Sequence, residues 1–309
     1  MAQQHIQLGT PPAGTDGDTA RQAFSKAEAN FSELYDLADQ SGEDIAAATG
    51  RILGNNLLIN SEFFVNQEVF AGGALAAGAY GYDMWKAGAG GCNVSANASG
   101  LITHTSGPLV QIVEAPSGVY GQQVAISVED PSANIAVTVG GVAGVITAGA
   151  GRRGVVLTMP AGSGDLTVQL SATGATYRRP ALERGSTWST FTARHRALEL
   201  LLCQRYYEKS YELGVAKGTN TNTGRRAFAV QAAKGQIMWC SLAFAVPKRV
   251  APAVTVYSVT GVAGQVTQGS GAGKAVTVGG ISSQVCELSW TNDASDFGGF
   301  FHFVADARP

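Results

Sequence analysis

Ile135-Ala136-Val137-Thr138-Val139 and Leu166-Thr167-Val168-Gln169-Leu170 alternate branched or long apolar residues with small or polar ones. A period of two puts every apolar side chain on one face of an extended chain and leaves the other face to solvent. Val124–Val128 and Val155–Met159 are further strand-like runs, and Gly or Pro clusters bound them. Short half-buried strands at such spacing predict an antiparallel β-sandwich over residues 55–195.

Composition agrees with a mainly β chain. Only 14% of the 309 residues are charged, against about 25% in an average soluble domain, and 40 residues are glycine. The mean hydropathy of +0.06 is too high for a disordered chain. A net charge of −2 supplies no basic field for nucleic acid. No apolar run approaches the roughly 20 residues of a membrane span, so no membrane insertion is expected. Met1-Ala2-Gln3-Gln4-His5 lacks the pattern of a secretory leader, from which assembly in a cytoplasm is expected. Cys92, Cys203, Cys240 and Cys286 are far apart with no C-x-x-C pair, and read as reduced, buried thiols.

Residues 1–54 differ from the rest. Thr19 and Gln22 form a capping box ahead of a helix, with Asp16 and Asp18 placed to favour its N-terminus. Phe24, Phe31, Ala38, Ile45 and Ile52 then recur every seven residues, with Ala27, Leu34, Ser41 and Ala48 between them. That heptad pattern is the signature of helices packing on one another. Ser41-Gly42 interrupts it, and Ser41 with Asp44 is placed to cap a second short helix. A single amphipathic helix lying on its own domain is the alternative. The flanking glycines and the marginal stability of a lone helix favour a self-associated bundle through Phe24, Phe31, Leu34, Ile45 and Ile52.

Residues 196–309 read as a second β-domain. Ala197–Leu202 is a helical turn or a strand, and strands are expected at Ala227–Ala232, Met238–Val246, Ala253–Ser258, Ala275–Val278 and Phe301–Phe303. Ala-Val-Thr-Val occurs at 136–139, 253–256 and 275–278. The uneven spacing argues for similar strands rather than a solenoid.

Three groups of residues resemble parts of bacteriophage tail fibres, in the same order along the chain. Gly17-Asp18-Thr19-Ala20-Arg21-Gln22-Ala23-Phe24 with Asn30-Phe31-Ser32-Glu33-Leu34-Tyr35 resembles their N-terminal attachment region. Leu57-Leu58-Ile59-Asn60, Tyr82-Asp83-Met84-Trp85 and Leu182-Glu183-Arg184-Gly185-Ser186-Thr187 resemble their jelly-roll modules, which are similar to carbohydrate-binding modules of glycosidases. Cys203-Gln204-Arg205-Tyr206-Tyr207-Glu208-Lys209-Ser210-Tyr211, with Pro252–Ser258 and Ala305–Arg308, resembles their C-terminal domain.

The resemblance implies two jelly-roll-like sandwiches behind a trimeric helical segment. It also implies a homotrimer of the virion tail, attached through its N-terminus to other tail or baseplate proteins. Its outer domains would serve host adsorption by binding a bacterial surface polysaccharide or pilus receptor. A purely architectural baseplate or tail-tip protein without receptor contact is the alternative. The chain lacks the shaft repeats of long fibres.

The sequence offers little for catalysis, and no enzyme activity and no cofactor are expected. Carboxylates are sparse and unpaired among aromatics. His5, His104, His195 and His302 lack metal-ligand spacing. Gly88-Ala89-Gly90-Gly91 has no P-loop lysine, and no G-x-S-x-G elbow occurs. For binding, Trp85 reads as core rather than as a sugar platform. Ser289–Phe297 reads as a loop with Trp290 and Phe297 near its ends and Asn292, Asp293 and Asp296 between. Rings for apolar sugar faces beside amides and carboxylates for hydroxyls make these five residues the receptor-contact candidates, against a plain surface loop. Arg152-Arg153, Arg178-Arg179 and Arg225-Arg226 are either solvated or placed to meet anionic polysaccharide.

Overall fold

Thr19 and Gln22 form the predicted capping box. Gln22 Oε1 accepts from the Thr19 amide at 2.8 Å, and the Gln22 amide donates to Thr19 Oγ1 at 3.3 Å. The structure, a computed structural model, describes residues 4–11, 13, 15–53, 55–229, 233–293 and 298–309, with side chains of the first helix described through residue 38. The chain falls into two compact units, residues 1–55 and residues 56–309.

In the first unit, helix α1 (Ala20–Leu53) runs unbroken through Ser41-Gly42, so the second short helix expected there is not a separate element. A helix interior tolerates one glycine at a cost of about 1 kcal/mol, less than ending and restarting the ladder. Residues 4–10 fold back on α1. Asn30 bonds both backbone groups of Gln4, Lys26 Nζ reaches the His5 carbonyl and the Asp18 carboxylate, and the Gln7 amide donates to Asp18. Lys26 stands roughly 200° around the helix from Phe24, so this clasp occupies the polar flank.

In the second unit, eleven strands build one sandwich. They are β1 (Gly73–Leu75), β2 (Lys86–Ala87), β3 (Cys92–Ala96), β4 (Ile102–Ser106), β5 (Pro108–Val113), β6 (Gln123–Glu129), β7 (Ile135–Val139), β8 (Val142–Ile146), β9 (Arg152–Thr158), β10 (Leu166–Ser171) and β11 (Ala175–Arg184). One sheet has the order β1-β3-β4-β11-β6-β9, the other β2-β5-β10-β7-β8, and every pair is antiparallel. The alternation in β7 and β10 is realised. Ile135, Val137, Val139, Leu166, Val168 and Leu170 face a core that also holds Trp85, Ile126 and Tyr177. Residues 185–194 then cross the outside of this sandwich, where Gly154 has no room for a side chain: an added Cβ would lie 2.8 Å from the Ile126 carbonyl oxygen and 2.9 Å from the Trp188 ring.

Helix α2 (Arg196–Gln204) resolves the helix-or-strand choice at 197–202. After it come β12 (Tyr207–Lys209), β13 (Arg226–Phe228), β14 (Ile237–Ala243), β15 (Ala253–Tyr257), β16 (Gln265–Gln268), β17 (Gly273–Ala275), β18 (Thr277–Gly279), β19 (Val285–Thr291) and β20 (Gly299–Asp306). The strand expected at 275–278 is split at Val276, and residues 230–232 of the one expected at 227–232 lie outside the described residues. β12 and β15 both pair with residues 304–306 of β20, so they lie on its opposite edges. β16 also pairs with β20, and β17 with β16. The sheet β14-β19-β18 closes a second core of Met238, Leu242, Leu288, Trp290, Phe301 and Phe303. The chain is thus mainly β, with antiparallel sheets and two helices among the described residues.

A third cluster, Val65, Met84, Cys203 and Tyr206, joins the two cores, and charged groups surround it. The Arg308 guanidinium lies between the rings of Tyr80 and Tyr207, at 4.4 and 4.1 Å, and pairs with Asp306 and Glu68. Arg205 grips Glu114 through two bonds of 2.8 and 2.7 Å. These bonds hold the Glu114 carboxyl below its ordinary value of 4.5. A depressed carboxylate stabilises fully above the unfolded value, and the contribution is lost as pH falls through the folded one. Thermal stability is therefore expected to fall below about pH 4.5, and Glu114→Gln to flatten that acid limb in melts between pH 6 and pH 3.

Candidate functional site

The face of β14-β19-β18 turned away from the second core is set by strand parity. On β14, Met238 and Leu242 point inward, which turns Ile237 and Trp239 outward at 60% and 59% exposure. On β19, Cys286, Leu288 and Trp290 are buried, and Glu287, Ser289 and Thr291 face the other way. Register then assembles the outer face. Trp239 lies opposite Ser289, which lies opposite Thr277. Ser241 lies opposite Glu287, and Ile237 opposite Thr291. One exposed indole thus stands beside a row of hydroxyls and a carboxylate.

β14 is also an edge strand. The Asn292 amide bonds the Gln236 carbonyl and the Phe244 amide bonds the Gln284 carbonyl, so even-numbered residues make the ladder to β19. Trp239 and Ser241 consequently turn their N–H and C=O groups toward the free edge. A cleft of about 200 Å³ opens there, lined by Arg226, Ala227, Phe301 and residues 240–243.

Of the receptor-contact candidates, the three that are described do not share an exposed face. Trp290 is 3% exposed and meets Phe228 edge-on at 5.9 Å. Its ring is a core ring, with no face offered to a ligand. Asn292 is buried and accepts from Gln268 Nε2 at 2.9 Å. Asp293 is exposed and paired with Lys274 at 2.6 Å. Asp296 and Phe297 lie outside the described residues. Ser289–Thr291, expected in a loop, belong to β19. Trp239 was not singled out from sequence, although the alternation Cys286-Glu287-Leu288-Ser289-Trp290-Thr291 on the partner strand carries the signal.

The bundle candidates Phe24, Phe31 and Leu34 lie together on α1 and are exposed, Phe24 at 76%. The side chains of Ile45 and Ile52 lie outside the described residues. Of the arginine pairs, Arg179 is engaged by Glu62 and Glu129, with its guanidinium over Phe191. Arg225 covers the ring of Phe300 at 3.9 Å. Cys92, Cys203 and Cys286 are buried free thiols, and burial pushes Cys92 and Cys286 up to about 11.

No protein-family model matches the chain, and no curated protein matches it. Among solved structures, recombinant discoidin II of Dictyostelium discoideum is similar at 10% identity and a TM-score of 0.21, covering 65% of this chain and 78% of that one. A cycloisomaltooligosaccharide glucanotransferase of Paenibacillus sp. is similar at 10% identity and a TM-score of 0.21, covering 69% of this chain and 44% of that one. Likenesses this distant carry no argument about what the chain does.

Proposed function

We propose that the chain is a homotrimeric, receptor-facing component of a bacteriophage tail, that it binds glycan on the host surface, and that it acts by binding rather than catalysis. The observation that carries this reading is that Phe24, Phe31 and Leu34, the large apolar heptad residues of α1 whose side chains are described, are all exposed. The chain's own clasp occupies the polar flank and leaves this face to a partner. A seven-residue repeat kept to Ile52 matches a partner helix of the same period, which another copy of the same segment provides. The order of the three tail-fibre-like sequence motifs supports the virion setting, with residues 1–54 as the anchor.

Sedimentation of the full chain at micromolar concentration is expected to give a trimer. Phe31→Asp places three carboxylates in one apolar seam. It is expected to raise the midpoint of assembly at least about 100-fold, which for three chains forming one complex is equivalent to ~5.5 kcal/mol per trimer. A monomeric parent chain, or an unaffected variant, overturns the reading. Loss of particle incorporation on deleting residues 1–54 checks the anchor separately.

A further inference from the structure

Trp239 differs from Trp85 and Trp290, which are buried at 0% and 3% exposure. A tryptophan left more than half exposed in the middle of a regular strand contributes little to the core, so its large ring is free for a ligand. Around it, Ser241, Thr277, Glu287, Ser289 and Thr291 bring hydroxyls and a carboxylate to the same face. Among the described residues, none of these five side chains has a hydrogen-bond partner.

We infer that this face is a glycan subsite, in which the Trp239 ring stacks on the apolar face of a hexopyranose while Ser289, Thr277 and Glu287 bond its equatorial hydroxyls. The inference rests on the receptor-facing reading above and names its site. An indole covers the axial C–H face of a sugar, and the ring of hydroxyls around that sugar needs both donors and acceptors. Serine and threonine supply both, and Glu287 supplies acceptors. The outward N–H and C=O groups of Trp239 add fixed partners along the free edge.

The size of the apolar patch favours a small ligand over a second copy of the chain. A tryptophan presents about 150–250 Å² in full, so Trp239 and Ile237 together show on the order of 250 Å². A stable protein interface buries about 800 Å² per partner, of which about 56–65% is apolar, still about twice this patch.

The test uses the full chain on an array of immobilised oligosaccharides built from glucose, galactose, mannose and N-acetylglucosamine. The parent is expected to bind at least one of them. Trp239→Ala is expected to weaken that binding at least about 10-fold, with melting temperature and sedimentation unchanged. Trp239→Tyr, which keeps a ring, is expected to recover part of it. Parent binding with no loss in Trp239→Ala overturns this site while leaving the glycan-binding reading intact. A parent that binds nothing on the array overturns both. A change in sedimentation with binding intact reassigns the face to contacts between copies.

Discussion

Replacing Lys248 by alanine is expected to cost about 3–5 kcal/mol of stability, among the largest losses from any one substitution in the chain. The Lys248 side chain is fully enclosed, and the Glu208 carboxylate that it contacts is 3% exposed. The ammonium also donates to the Gln204 carbonyl, and the Ala245 amide donates to Glu208. Burial pulls the Lys248 ammonium below its ordinary value, and the bond to Glu208 opposes that pull. Removing the lysine leaves a carboxylate in a low-dielectric site with a void where its counter-ion stood. Urea unfolding should show the midpoint moving far to lower denaturant. Lys248→Met combined with Glu208→Leu removes both charges and keeps volume, so it is expected to recover most of the loss. A cost below about 1 kcal/mol, the range of an exposed pair, would show that the pair is solvated.

How far the structure is legible in the sequence depends on the distance over which each signal acts. Thr19 and Gln22 lie three residues apart, and the cap they predict is the cap that forms. β7 and β10 alternate strictly over five residues, and both lie where that alternation puts them. The junction between the two cores is another matter. Glu68 meets Arg308 across 240 residues of sequence, and Glu114 meets Arg205 across 91. No local pattern carries pairs so distant, because tertiary packing alone brings them together. The third Ala-Val-Thr-Val repeat shows the same limit: residues identical to those of β7 are split between two short strands at Val276, whose amide bonds the Gly264 carbonyl instead.

The tryptophans show an intermediate case. In Ile237-Met238-Trp239-Cys240 all four residues are apolar, so β14 read alone does not say which pair faces the core. The partner strand decides it, since Glu287, Ser289 and Thr291 can alternate only outward and thereby send Trp290 inward. Within Ser289–Phe297 alone that alternation is too short to show, because most of the strand lies before it, back to Val285. Polarity on one strand fixes the facing of an ambiguous neighbour once the two are known to pair.

Trp290→Ala is accordingly expected to destabilise the second unit by about 3–5 kcal/mol, whereas Trp239→Ala should stay within about 0.5 kcal/mol. The Trp290 ring packs edge-on against Phe228 and reaches over the first residue of β20, where a Cβ added at Gly299 would lie 3.0 Å from it. Met238, its cross-strand neighbour, is buried beside it. Truncation leaves a cavity the size of an indole between β19 and β20, and strand backbones held by ladders on both sides collapse into it only in part. Trp290→Phe refills much of that space and is expected to cost less than half as much. Thermal melts of the three variants, followed by circular dichroism, decide the matter. If Trp239→Ala melts early and Trp290→Ala does not, the two faces of the sheet are assigned the wrong way round, and the glycan subsite falls with them.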